Sequence, residues 1–300
     1  MPARPRIVGF WLYQWAHTGS IGVTRRLVRQ TNGSGRYVCV GGYPKSGTTW
    51  ISQLVGHVLG LRVPRDNMLP LLRGCVVHHH WGYEPALDRS IYVVRDGRDV
   101  MASEFVAMMN AAETLREREG RFGRLSSLER TLLRRRGRNA RLQQRFDHVF
   151  GPGFDPWDVE RNFPRFVEHN LQEPFSEVSD HPWQRHVEDW FRHRRETTVV
   201  RYEDMLADPP AALAKSVRDL TGESVKDTAI ESAIDRFSFE RTAGRPRGTE
   251  DRSAFARKGV AGDWTNWFDR ETGRLFDEAA GDLLVSLGYA PDRRWFEQRG

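Results

Sequence analysis

Tyr37-Val38-Cys39-Val40-Gly41-Gly42-Tyr43-Pro44-Lys45-Ser46-Gly47-Thr48-Thr49-Trp50 is the stretch that decides the fold. Its first five residues, an apolar run closed by glycine, predict a buried strand. Gly42 to Gly47 then reads as a turn-rich loop. Beyond it the apolar residues Trp50, Ile51, Leu54, Val55, Val58 and Leu59 recur at helical spacing. A strand, a tight loop and a helix make half of a βαβ unit.

Working outward, further strands are predicted at 75–78, 91–94 and 198–202, and a helix after Arg98 with Val100, Phe105, Met108, Met109 and Ala112 along one side. Strands alternating with helices place the chain in the α/β class, a parallel sheet flanked by helices with a P-loop-like first turn. Ligands in such sheets gather at the carboxyl ends of the strands. The pattern changes between about 111 and 180. There a basic stretch carries Leu128, Leu132, Leu142, Phe146 and Val149 at roughly helical intervals, followed by the loop Gly151-Pro152-Gly153-Phe154-Asp155-Pro156. This segment, at about 111–180, reads as a helical insertion, a lid or ligand-binding layer, within a single domain covering 1–300. Later helices are predicted at 183–194, 210–220, 225–235 and 266–287.

Composition bounds the class. With 39% hydrophobic and 29% charged residues over 300 positions, the chain is globular and long enough for a sizeable core. The apolar stretch Ile7 to Trp15 is far short of the ~20 residues that span a bilayer, and no small-residue cleavage site follows it. A cytoplasmic protein with no transmembrane segment is expected. Two cysteines, Cys39 and Cys75, make neither a disulfide framework nor a zinc site by themselves. Lysine and arginine total 46, of which only four are lysine. Between Arg116 and Arg145, eleven arginines face three glutamates. Such a cluster suits a solvated helix face, or a contact for nucleic acid, an anionic membrane or an acidic substrate.

The loop at 43–50 has the means to grip a phosphate or sulfate. Gly42 and Gly47 allow close backbone approach, successive N–H groups can form an anion nest, and a helix N-terminus adds positive potential. Thr48 and Thr49 supply hydroxyls and Lys45 a full charge. In a Walker A loop the lysine directly follows the last glycine. Here Lys45 precedes Gly47 by two places, which argues against generic ATP or GTP binding.

The string YPKSGTTW resembles the signature of sulfotransferases that use 3′-phosphoadenosine-5′-phosphosulfate (PAPS). A second stretch, Ile91-Tyr92-Val93-Val94-Arg95-Asp96-Gly97-Arg98 with Ser103 eight residues after Arg95, is similar to that family's second signature. A third, Arg257-Lys258-Gly259-Val260-Ala261-Gly262-Asp263-Trp264, matches its RKGxxGDW pattern. The resemblance implies that Lys45, Ser46, Gly47, Thr48 and Thr49 hold the 5′-phosphosulfate. It implies that Arg95, Ser103, Arg257, Lys258 and the Gly259 backbone meet the 3′-phosphate, a role for which arginine's planar fork of donors is suited. Trp50, Tyr202 and Phe239 fall where the family walls the adenine, although core aromatics would look the same. Asp99 reads as a structural partner.

The family takes its general base from the histidine of a Lys-Thr-His strand end. This chain has His78-His79-His80 there, which makes His80 the base and leaves His79 open. Histidine suits proton abstraction at pH 7 because its unperturbed pKa is ~6.5. On an extended chain His78 and His80 point one way and His79 the other, and His78 takes the motif's lysine position. Adjacent histidines on a strand do not converge on one ion, so no metal is expected. The family's C-terminal dimer motif would put a lysine, a Thr-Val pair and a glutamate at Thr265, Asp269-Arg270 and Arg274; none is present, and the oligomeric state stays open.

The resulting expectation is a PAPS-dependent sulfotransferase that releases PAP and acts on a hydroxyl-bearing small molecule, lipid or glycan, with no specific nucleic acid partner. Lys45 and His80 would be catalytic. Two rivals are a P-loop nucleotide kinase and a non-catalytic polyanion binder using the basic stretch.

Overall fold

The structure, a computed structural model, describes residues 23–30, 37–64, 74–87, 90–122, 138–176, 178–193 and 197–297. The N-terminal aromatics Phe10, Trp11, Tyr13 and Trp15, and residues 123–137 of the basic stretch with Leu128 and Leu132, lie outside them. The chain forms two compact units. The first takes residues 1–95 and 186–242, the second 96–185 and 243–300.

The first unit is built on four parallel strands, β1 (Tyr37–Gly42), β2 (Cys75–His79), β3 (Ser90–Val94) and β4 (Thr197–Arg201), in the order β2-β1-β3-β4. Helix α1 (Thr48–Val58) follows β1, as the sequence predicts. Residues alternate between the two faces of a strand. On one face Val40, Val76, Ile91, Val93 and Val200 pack with Ile51, Leu54 and Val55 of α1, and with Leu213, Val217, Ile230 and Ala233. The last four come from α7 (Pro209–Thr221) and α8 (Asp227–Arg236), which follow the short α6 (Tyr202–Ala207). On the other face Tyr92 stacks on His186 and Trp190. These two lie on α5 (Trp183–Arg192), which is divided between the units. Register pairs Gly41 with His79 and Val94 with Arg201, so Gly42, the histidines and Arg95 emerge at neighbouring strand ends.

Tyr202 is not the last residue of a strand. The strand stops at Arg201, and Tyr202 opens α6 with no loop between, which a short β-branched run followed by Arg-Tyr-Glu-Asp does not announce.

The second unit is helical. It comprises α2 (Gly97–Phe122), α3 (Arg138–Phe150), α4 (Val159–Asn170) and α10 (Arg270–Ser286); of α9 (Phe239–Ala243), all but Ala243 belongs to the first unit. Asp158 caps α4 by accepting from the Arg161 N–H at 3.3 Å. Phe146, Phe150, Phe154, Phe163, Phe166 and Phe175 form a contiguous aromatic core with Phe105. Two arginines of the basic stretch end on it: the guanidinium of Arg116 lies 4.7 Å from the Phe154 ring centroid and that of Arg145 5.3 Å from Phe175. These two are packing residues as well as charges.

Candidate active site

The turn from β1 into α1 has a conformation that few sequences accept. Lys45 sits at φ 67°, the left-handed region, and is the one non-glycine residue there among the described residues. Such a residue costs of order 1–3 kcal/mol and persists where its surroundings impose it. Gly47 follows at φ 90°, and a Cβ on it would lie 2.5 Å from the Tyr202 ring. Ser46 is almost fully buried, yet its hydroxyl has no hydrogen-bond partner among the described residues. No side chain caps α1, and its first turn carries no acidic residue. An uncapped helix start, a buried orphan hydroxyl and a lysine at one turn fit a tetrahedral oxyanion.

Around this loop the first unit gathers several of the predicted residues. Arg95 directly follows β3, donates to the Lys45 carbonyl at 3.1 Å and lies over the Tyr202 ring at 4.5 Å. Tyr202 in turn meets Trp50 edge-on at 6.0 Å. The half-buried Trp50 is fixed by donating its indole N–H to the Phe237 carbonyl at 2.9 Å. Phe239, buried, opens α9 two residues later. Sequence reasoning passed over Phe237 because its contribution is a backbone oxygen, which carries no residue signature.

The three histidines divide as strand geometry requires. His79 points into the core, stacked on Trp81 at 4.6 Å and accepting from the Trp81 N–H at 3.3 Å. Burial drives its pKa well below the usual value. His78 and His80 share the opposite face, their rings edge to face at 4.8 Å. His78 Nε2 lies 3.0 Å from the Thr48 hydroxyl and 3.5 Å from that of Thr49, and burial lowers its pKa to about 3. His80 Nδ1 is 2.7 Å from the Gly42 carbonyl. A carbonyl only accepts, so Nδ1 carries the proton and Nε2 of the neutral ring keeps its lone pair. Burial, helped by the charge of Lys45 and opposed by the Gly42 bond, lowers the His80 pKa to about 4. The ring is therefore neutral at pH 7.

Within the second unit, Ser103 lies in the second turn of α2 and is nearly buried. Asp99 accepts from the Gly262 N–H at 2.7 Å and the Trp264 N–H at 2.8 Å, so it ties the RKGxxGDW segment to the helix. Arg257 and Lys258 both pair with Asp263, which holds that carboxyl far below its usual range despite burial. Arg257 also pairs with Glu250. The cations are thus set in place by acids that the sequence reading did not weigh. Gly259 follows at φ 69°, turning the chain. Arg98 is structural: it pairs with Asp96 and lies 3.7 Å from the Trp264 ring and 4.6 Å from Trp295.

Residues 87–288 match the family model described as the sulfotransferase domain. The chain belongs to the sulfotransferase family. It is 24% identical over 285 residues to dog sulfotransferase 1B1, covering 80% of each chain. It is also 24% identical to human sulfotransferase 1C2 over 256 residues, 79% of each. Among solved structures it resembles a mouse sulfotransferase, SULT7A1, complexed with PAP. That likeness, with a TM-score of 0.56 at 20% identity over 86% of this chain and 88% of the other, shows the fold. This sulfotransferase is therefore an α/β enzyme with a parallel sheet and P-loop-like first turn, as the sequence predicts. The family match begins after the loop at 43–50, so the loop's geometry is an observation separate from the match. Among the described residues no helix is long and apolar enough to cross a membrane, and no histidine, cysteine and carboxylate cluster is placed for a metal ion.

Proposed function

We propose that this sulfotransferase moves the sulfuryl group of PAPS to the hydroxyl of an acceptor and releases PAP. The single observation that supports it most is the turn at Lys45 to Thr49, with its left-handed lysine, buried unsatisfied Ser46 hydroxyl and uncapped helix start, beside a histidine whose tautomer leaves Nε2 unprotonated. Ser46, Thr48, Thr49 and the start of α1 bind the 5′-phosphosulfate, and Lys45 meets the charge on the bridging oxygen. Arg95, Ser103, Arg257, Lys258 and the Gly259 backbone take the 3′-phosphate. Trp50, Tyr202 and Phe239 wall the adenine.

His80 Nε2 takes the acceptor's proton as the acceptor oxygen bonds to sulfur and the sulfur–oxygen bond to the 5′-phosphate breaks. The proton ends on the imidazole and the electron pair on PAP. Transfer is in line, and positioning with electrostatics does most of the work. The acceptor is a small molecule, lipid or glycan alcohol, handled by a single cytoplasmic catalytic domain with its acceptor side at about 111–180. Nothing in this scheme requires a metal ion.

Single-turnover assays with labelled PAPS against phenols, aliphatic alcohols, glycolipids and sugars test the reading and find the acceptor. A placed base contributes ~10²–10⁴-fold, so His80→Ala should lower turnover by that factor. PAP affinity, read by calorimetry, should change little. Equal losses in both would remove His80 from the role.

A further inference from the structure

Two side chains of α5, one turn apart, hold the peptide that carries His80. His186 Nε2 lies 3.2 Å from the His80 carbonyl oxygen and 3.1 Å from that of Trp81. Trp190 donates its indole N–H to the same Trp81 carbonyl at 3.1 Å. Both oxygens facing His186 only accept, so Nε2 carries a proton. In the neutral ring Nδ1 is then an acceptor, and the Tyr92 hydroxyl, 3.0 Å away, donates to it. His186 and Tyr92 are fully buried.

We propose that His186 is a positioning residue for the transfer step, fixing the His80–Trp81 peptide through its Nε2–H so that the His80 ring points in one direction. The proposal rests on His80 being the base. The His80 ring is tied at its Nδ1 edge to the Gly42 carbonyl and its backbone is tied by His186. A ring held at both ends keeps Nε2 in one place. Packing alone does not need this arrangement, because Tyr92 and Trp190 already stack at 4.8 Å and 13°. Among the described residues, the charged and titratable groups around the assembly are Lys45 and His78 beside His80, His79 and Tyr43 beside His186, Arg25 over the Trp81 ring at 5.4 Å, and Asp189 near Tyr92.

The test compares His186→Phe, His186→Gln, Tyr92→Phe and His80→Ala. A misplacement of about 1 Å costs ~10²-fold. His186→Phe should therefore lower kcat by about that factor while PAP affinity and the KM for PAPS stay near wild type. The acid limb of kcat against pH should move up toward ~6.5, because a loosened peptide lets water reach the His80 ring. His186→Gln, which restores an N–H donor at similar reach, should recover most of kcat. A His186→Phe enzyme with normal kcat and an unmoved acid limb overturns the proposal, as does a defect that Gln fails to rescue. If the phenylalanine variant does not fold, Tyr92→Phe serves, with an expected several-fold fall in kcat and the same direction of pH shift; no change in either overturns the proposal. Full turnover in His80→Ala would overturn the base and this proposal together. A normal His186→Phe beside an inactive His80→Ala would overturn this proposal alone.

Discussion

Three consecutive histidines meet three different environments, and the backbone decides which is which. His79 is sealed against Trp81 and Trp190, His78 leans on the Thr48 hydroxyl, and His80 spends one nitrogen on Gly42. All three are held neutral by burial, with pKa values of about 3 for His78 and about 4 for His80. This has a cost in acid. The unfolded chain binds these protons near pH 6.5 and the folded chain only near pH 4 and below, so stability falls as pH drops through that window. Each unit of difference is worth about 1.4 kcal/mol, which makes His80 alone responsible for a few kcal/mol. Urea unfolding at pH 7 and pH 4.5 should therefore show a smaller loss in His80→Gln than in wild type. An equal loss would place the titration on other groups. The alternation that sends His79 inward was readable from the sequence, as period-two geometry needs no coordinates. The carbonyl partner of the His80 ring, on Gly42, was not, because backbone oxygens leave no mark on residue identity.

At the scale of the element, the β1–α1 turn was legible because three local signals agree there: an apolar run, glycines at the bend and helical spacing after it. Where signals conflict, reading fails. α4 carries Pro164 in its interior and follows a Gly-Pro-Gly loop, so breaker signals mask Phe163, Phe166 and Val167 on one helical face. The Asp158 cap was the available clue. α6 and α9, of six and five residues, are too short for any periodicity to register. The turn itself predicts a variant effect. Gly47→Ala forces a side chain into φ 90° and toward the Tyr202 ring. It should destabilise the protein by roughly 1–3 kcal/mol and weaken PAP binding further, since Tyr202 lies under Arg95. Thermal unfolding with and without PAP separates the two losses; a variant with unchanged melting and unchanged PAP affinity would show the turn to be permissive.

For the whole molecule, the sum of charges says less than where each is anchored. The chain's +6 comes almost wholly from arginine, yet Arg98, Arg116 and Arg145 lie on aromatic rings and Arg257 is bound to two carboxylates. Net charge therefore overstates the positive field left for a polyanion, and the specific anion sites matter more. A ligand that binds only the folded state stabilises it by about 2.7 kcal/mol at a concentration of 100 Kd. PAP at that excess should raise the melting temperature by several degrees. AMP, which lacks the 3′-phosphate, should raise it less at the same concentration. Arg257→Ala should bring the PAP shift down toward that of AMP while leaving the AMP shift in place, because the substitution removes only a contact proposed for the 3′-phosphate. Lys45→Ala should shrink both shifts, since both nucleotides carry the 5′-phosphate. Equal shifts from PAP and AMP in the unaltered protein would mean that the RKGxxGDW segment does not meet the 3′-phosphate, whatever the 5′ end does.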